Sequence, residues 1–233
     1  MVYIFIKDAQ TSSTMPCGGS LINSQWVLTA GHCIQLPPLL VAPGPDSYVR
    51  VGELKLKRPT GKEYKIQRFV LHKHFQITDS MVYNDIALLQ LEGAVRYDSY
   101  MAPVALPGPR DQISLHAQCW VTGWGYIREN QPLSGEQVLQ ELRLPLLSSA
   151  TCRSMYPDAT EDVLCAGYLE GGKDACTGDS GGPLVCKSFD QFVQVGIVSF
   201  GKGCARQNKT GVYTRVVHYS QFIQDTIRAY STP

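Results

Sequence analysis

The stretch Lys173–Leu184, KDACTGDSGGPL, decides how the rest of the chain is read. It sets one serine, Ser180, among glycines, with Asp179 directly before it and Asp174 a little upstream. A serine hydroxyl is a weak nucleophile until a base takes its proton and donors hold the oxyanion that forms. Glycines on either side let the backbone turn sharply enough to bring its own amides to that task. The two aspartates raise a second question, because a carboxylate drawn into a cysteine-anchored turn is costly without a cation or hydrogen-bond donors. Taken alone, the string also reads as a plain glycine-rich turn. Gly178, Ser180 and Gly182 further fit G-x-S-x-G, a strand–turn–helix nucleophile elbow that Asp190 and His218 could formally complete. Pro183 and the β-like LVC after it argue against a helix there.

Outward from this turn, the chain is a succession of short segments rich in β-branched and aromatic residues. SQWVLTAGHC, SYVRVGEL, YKIQRFVLH, DIALLQL, AQCWVTGW, QELRLPLL, GGPLVC, VQVGIVSF and GVYTRV are separated mostly by Gly, Pro, Asn or Asp. Short strands without alternating helices imply an all-β protein, barrels or a sandwich. The proline-rich LPPLLVAPGPDS, 36–47, reads as a surface loop, and APVALPGP, 102–109, as a linker near the midpoint. At the end, Tyr219, Phe222, Ile223 and Ile227 recur at helical spacing, which predicts a terminal helix with one apolar face docked on the body.

The 233 residues carry a formal net charge of +1, which gives no reason to expect nucleic acid or a membrane surface as partner. Eight dispersed cysteines suggest disulfides and an oxidising compartment, although composition does not choose among pairings. The opening MVYIFIKDAQ lacks the basic leader, long apolar core and cleavage site of a signal peptide.

A base for Ser180 must come from elsewhere. Of five histidines, His32 stands out, fixed beside Cys33 at the end of the apolar run WVLTAGHC. His72 and His74 form a metal-like pair without a nearby third ligand, and His116 and His218 read as surface or packed residues. Asp85 opens the apolar strand DIALLQL, where a carboxylate needs a donor such as an imidazole N–H. A strand-entry turn residue is the plainer reading.

TAGHC, DIALL and GDSGGPL, in that order, resemble the trypsin-like serine proteases of chymotrypsin fold, as do CGGSLI, CWVTGWG, GIVSFG and GVYTRV. The likeness covers nearly the whole chain, and VLCAGYLEGGKDAC is similar to the tryptase and prostasin-like branch. The resemblance implies one peptidase domain of two antiparallel six-stranded β-barrels, 1–106 and 107–233, the second carrying the terminal helix. It implies a triad of His32, Asp85 and Ser180, with an oxyanion hole from the N–H groups of Gly178 and Ser180. It implies four disulfides, Cys17–Cys33, Cys119–Cys186, Cys152–Cys165 and Cys176–Cys204, with no metal and no cofactor.

The same resemblance places Asp174 at the floor of a specificity pocket, with Gly201 and Gly211 keeping its walls open. The cation Asp174 awaits is then the Arg or Lys of a protein or peptide substrate. Ala175 stands where many relatives have serine, which favours Arg over Lys, and Phe200 replaces a more usual tryptophan. Serine protease inhibitors are further implied partners. Asn208 opens the sequon NKT, a glycosylation site if the chain is secreted and extracellular. KLKRPTGK, 55–62, is read as a solvated basic loop, with binding of a heparin-like polyanion as the alternative.

Asp179 awaits a different cation. In the resembled family an activating cut frees an α-ammonium that pairs with the aspartate before the serine. The chain has no Ile-Val-Gly-Gly-like sequence to supply it, and Met1 lies in a strand position unsuited to the task. The expectation is an N-terminally truncated chain in which the Asp179 turn swings out, the carboxylate staying in solvent or taking a zymogen-like partner, and the oxyanion hole stays unformed. A zymogen-like or pseudoprotease chain without turnover is the corresponding alternative function.

Overall fold

The computed structural model describes residues 1–7, 14–36, 39–40 and 46–231. Twelve strands build two six-stranded sheets. The first half supplies β1 (Val2–Lys7), β2 (Thr14–Leu21), β3 (Trp26–Thr29), β4 (Tyr48–Val51), β5 (Lys62–Leu71) and β6 (Ala87–Leu91). Their order β1–β2–β3–β6–β5–β4 closes on itself, because β1 pairs with β2 on one side and with β4 on the other. In β1, Val2, Ile4 and Ile6 point inward and alternate with half-buried neighbours, the period-two pattern of a strand with one face in the core. β6 is buried along its whole length, Gln90 included.

The second half supplies β7 (Cys119–Gly123), β8 (Gln140–Leu144), β9 (Val163–Ala166), β10 (Pro183–Ser188), β11 (Gln191–Phe200) and β12 (Gly211–Arg215). Their order is β8–β7–β10–β11–β12–β9. The two six-stranded sheets and the terminal helix agree with the expected architecture, although the second sheet is not closed by a ladder. It closes through a single bridge, Leu146 to Ala166, flanked by Leu147 N–H to Cys165 O and Gly167 N–H to Pro145 O. Pro145 has no N–H to give, so at that residue the main-chain bond runs one way only, from Gly167 N–H to Pro145 O. The strand that follows Ser180 is β10, so no helix follows this serine as an elbow would need.

Residues 102–109 run between the halves and bond to both. Val104 donates to Leu21 O, and Ala105 O accepts from Gln194. The proline-rich stretch 36–47 lies largely outside the described residues. All four expected disulfides are formed. One short helix, α1 (Ser149–Met155), went unread in the sequence; Ser148 caps it by accepting the N–H of Thr151.

The terminal helix, α2 (Ser220–Tyr230), docks where its apolar spacing implied, but on the opposite half of the molecule. Tyr219 and Ile223 belong to the core of the first barrel, beside Leu28, Ile86 and Leu88, with Phe222 and Ile227 packed at its edge. The helix ends with Tyr230 under the Arg68 guanidinium of β5, 4.1 Å from ring centroid to charge. The last segment of the chain thus fastens the second half to the first. Among the described residues no helix is long and apolar enough to cross a membrane.

Candidate active site

His32 sits in one tight helical turn, Gly31–Cys33, that ends the run from β3. The disulfide from Cys33 to Cys17 ties that turn to β2. Both the main chain and the ring of His32 face Asp85. Its N–H donates to Asp85 Oδ1 at 2.8 Å, and Nδ1 meets Oδ2 at 2.7 Å. With Nδ1 engaged, Nε2 is the nitrogen free to accept a proton.

Asp85 is only 1% exposed and needs every one of its donors. Besides His32 these include the Ser199 hydroxyl, 2.5 Å from Oδ2, while Thr214 Oγ1 bonds the Asp85 main-chain oxygen at 2.7 Å. Burial works against the carboxylate charge, but His32 and the hydrogen bonds outweigh it and hold Asp85 below its ordinary value. Burial likewise opposes a charged His32, yet Asp85 raises it above the usual histidine value. Ser199 and Thr214 were not singled out in the sequence. Their signal is a hydroxyl among the apolar residues of a strand, in GIVSFG and GVYTRV, where a buried polar group must have a partner.

Ser180 lies in a turn whose amides are unevenly used. Asp179 N–H bonds Cys176 O, Gly181 N–H bonds Val198 O and Gly182 N–H bonds Asp179 O. Among the described residues, the N–H groups of Gly178 and Ser180 have no acceptor and Ser180 Oγ has no partner. Gly178 takes φ +95°, a conformation that favours glycine, and lets the turn present those amides.

Ser180 and His32 line one cavity of about 440 Å³ together with Asp174, Ala175, Phe200, Gly201, Gly211 and Tyr213. Asp174 Oδ1 is buried there without a hydrogen-bond partner, as is Tyr213 Oη. Burial pushes the Asp174 carboxyl up to about 6. A Cβ on Gly211 would stand 3.0 Å from Asp174 Oδ1, so glycine there keeps the approach to the carboxylate open. Phe200 is backed edge-on by Tyr156 at 5.8 Å. Acceptors left unpaired in a cavity are groups that a ligand rich in donors would satisfy.

Asp179 contradicts the expected outward swing. It is 8% exposed, accepting the N–H of Gly125 at 2.8 Å on Oδ1 and that of Cys176 at 2.9 Å on Oδ2. Among the described residues no cation pairs with it. Two backbone donors take the place of a charge in holding the turn inward, although burial still raises its pKa.

The remaining candidates lie outside this cavity. His72 packs edge-on against Tyr219 and Phe222, which makes it part of the α2 docking surface. In the basic stretch, Lys55 and Arg58 both pair with Glu136, at 2.8 and 2.9 Å. Asn208 is exposed on the segment between Cys204 and Gly211, both of which line the cavity. Compared with models of known protein families, the chain matches the one described as Trypsin over residues 3–223, a span that includes every residue of this site.

Proposed function

Because the chain belongs to the trypsin family of serine proteases, we infer that it is an endopeptidase cleaving after arginine or lysine, with Ser180, His32 and Asp85 as its triad. The observation that carries this reading is the Asp174 carboxylate, buried with one oxygen unpaired in the cavity that Ser180 and His32 also line. A guanidinium brings five donors in a planar fork and meets a carboxylate through two of them. Lysine brings a shorter, point-like head, and Ala175 offers it no hydroxyl, so arginine is the better substrate.

In this reading Ser180 Oγ attacks the scissile carbonyl as His32 Nε2 takes its proton. Asp85 holds the Nδ1–H tautomer and stabilises the imidazolium. The N–H groups of Gly178 and Ser180 receive the oxyanion, a donor of this kind lowering the barrier by about 2.7–4 kcal/mol. His32 returns the proton to the leaving amine, and water admitted by the same base then releases the acyl group from Ser180. Asn208, if glycosylated, stands where a glycan would hinder large substrates more than short peptides.

Hydrolysis of matched Arg and Lys chromogenic peptides, with Ser180→Ala as control, tests the assignment. Ser180-dependent turnover favouring Arg supports it. Equal rates on the two peptides would remove the Arg preference. Binding of benzamidine, an aromatic amidinium, without any turnover would instead support a fold that keeps its pocket but not its chemistry.

A further inference from the structure

Ser180 belongs to the second half of the chain, yet one of its main-chain contacts comes from the first. Gly18 N–H, in β2, donates to Ser180 O at 2.7 Å. Gly18 must be glycine for this approach, because a Cβ there would lie 2.9 Å from Gly182 Cα and 3.0 Å from Gly182 N. A glycine is also the residue least able to hold its own orientation. The β1–β2 ladder holds Gly18 from one side, opposite Tyr3, but the β2–β3 ladder covers only Ser20–Leu28 and Leu21–Val27 and leaves its other side open. Beyond the ladder, Thr29 supplies the link: its Oγ1 donates to Gly18 O at 2.8 Å. Thr29 is wholly buried, and β-branching keeps its χ1 stiff. The same hydroxyl faces Gly181, where any Cβ would collide with Thr29 Oγ1 and come within 2.5 Å of Gly18 O.

We propose that Thr29 is a positioning residue for Ser180: its hydroxyl holds the carbonyl of Gly18, the residue whose N–H anchors the nucleophile turn to the first barrel. Thr29 also sits at the end of the strand that leads into the His32 turn, so one hydroxyl helps to set the placement of Ser180 relative to His32. This rests on Ser180 being the nucleophile, and the test separates the two claims.

Thr29→Val removes the hydroxyl and keeps the shape; Thr29→Ser keeps the hydroxyl. Amide exchange at Gly18, read by NMR, reports the anchor without reference to activity, and kcat and KM on an Arg peptide report its consequence. In Thr29→Val, Gly18 exchange should quicken and kcat should fall roughly three- to tenfold, a loss of hydrogen-bond size, with KM within about twofold. Thr29→Ser should restore both. Unchanged Gly18 exchange, an unchanged kcat, or failure of serine to restore them would overturn the proposal. If the parent protein shows no Ser180-dependent turnover, the proteolytic reading fails while the exchange result still decides whether Thr29 holds Gly18. Thr29→Ala gives the same comparison should the valine variant not fold.

Discussion

Asp179 Oδ1 accepts the N–H of Gly125 at 2.8 Å, and residue 125 has no room for a side chain: a Cβ there would stand 2.5 Å from Asp179 Cγ and 2.6 Å from both carboxylate oxygens. Trp124 and Gly125 follow β7, whose last residue, Gly123, is equally closed to a side chain by Asp179. The turn that carries Ser180 is therefore held by contacts made across from a neighbouring strand.

Gly125→Ala should expel the Asp179 carboxylate and reorient the Gly178–Ser180 amides. Turnover should fall by at least about a hundredfold, the scale of a lost oxyanion donor. Stability should fall by about 1–3 kcal/mol, as overpacking a tight site does. Paired kinetics and urea denaturation check this, and near-normal kcat in a folded variant would show that Asp179 does not govern the oxyanion donors.

The sequence pointed to the candidate residues of this site more readily than to what supports them. Ser180, His32 and Asp85 stand in dense local strings and could be singled out from a few neighbours. Ser199 and Thr214 reach across the two halves of the chain to Asp85, Thr29 reaches back to Gly18, and nothing local to them says which residue their hydroxyls meet. Asp179 shows the same limit. Its need for a partner was legible, but the donors are the amides of Gly125 and Cys176, and an amide is present at almost every residue. Likewise the spacing of Phe222, Ile223 and Ile227 announced a docked helix without revealing that it docks on the first barrel.

Asp174 makes a prediction about pH. Its carboxyl titrates at about 6 in the folded protein, above its ordinary value of 3.8. Folding therefore favours the protonated form. Stability is greatest below the unfolded value and is lost as pH rises through 6, on the order of 3 kcal/mol at pH 7. Asp174→Asn should recover up to about that much at pH 7 and much less at pH 4, by urea denaturation at the two values. Benzamidine, which needs the anion, should bind the parent protein constantly above pH 6 and weaken about tenfold per unit below it. A flat affinity between pH 5 and 7 would place the titration elsewhere.

Asp85→Asn should lower kcat about 10⁴-fold with little change in KM, because an amide can present the wrong tautomer of His32 for proton uptake. The pH profile separates this from general damage. In the parent protein Asp85 raises His32, so the acid limb of kcat/KM lies above the ordinary histidine value. In the variant that limb should move to lower pH. The stability linkage has the matching sign: the gain from charged His32 is full below its unfolded value and is lost as pH rises through the folded one. An acid limb that does not move would mean that Asp85 does not set the His32 proton affinity.

Ile223 tests the fastening of the two halves. It lies on α2, beyond β12, yet is 3% exposed in the core of the first barrel. Ile223→Ala removes buried methyl and methylene groups from a site walled by β-strands that cannot easily collapse, so the expected loss is about 2–5 kcal/mol. Because the helix joins the last strand of the second barrel to the first barrel, the loss should appear as a single lowered unfolding transition, equal by fluorescence and by circular dichroism. Tyr219 adds a chemical link at the same place, its one hydroxyl proton lying between Asp162 Oδ2 at 2.9 Å and Asn84 Oδ1 at 3.1 Å, the latter on the residue next to Asp85. Loosening α2 should therefore also lower kcat modestly, and adding back volume with Ile223→Leu should recover most of both effects. Two separate transitions in the alanine variant, with full activity, would show instead that each half folds and sets its own part of the site without the helix.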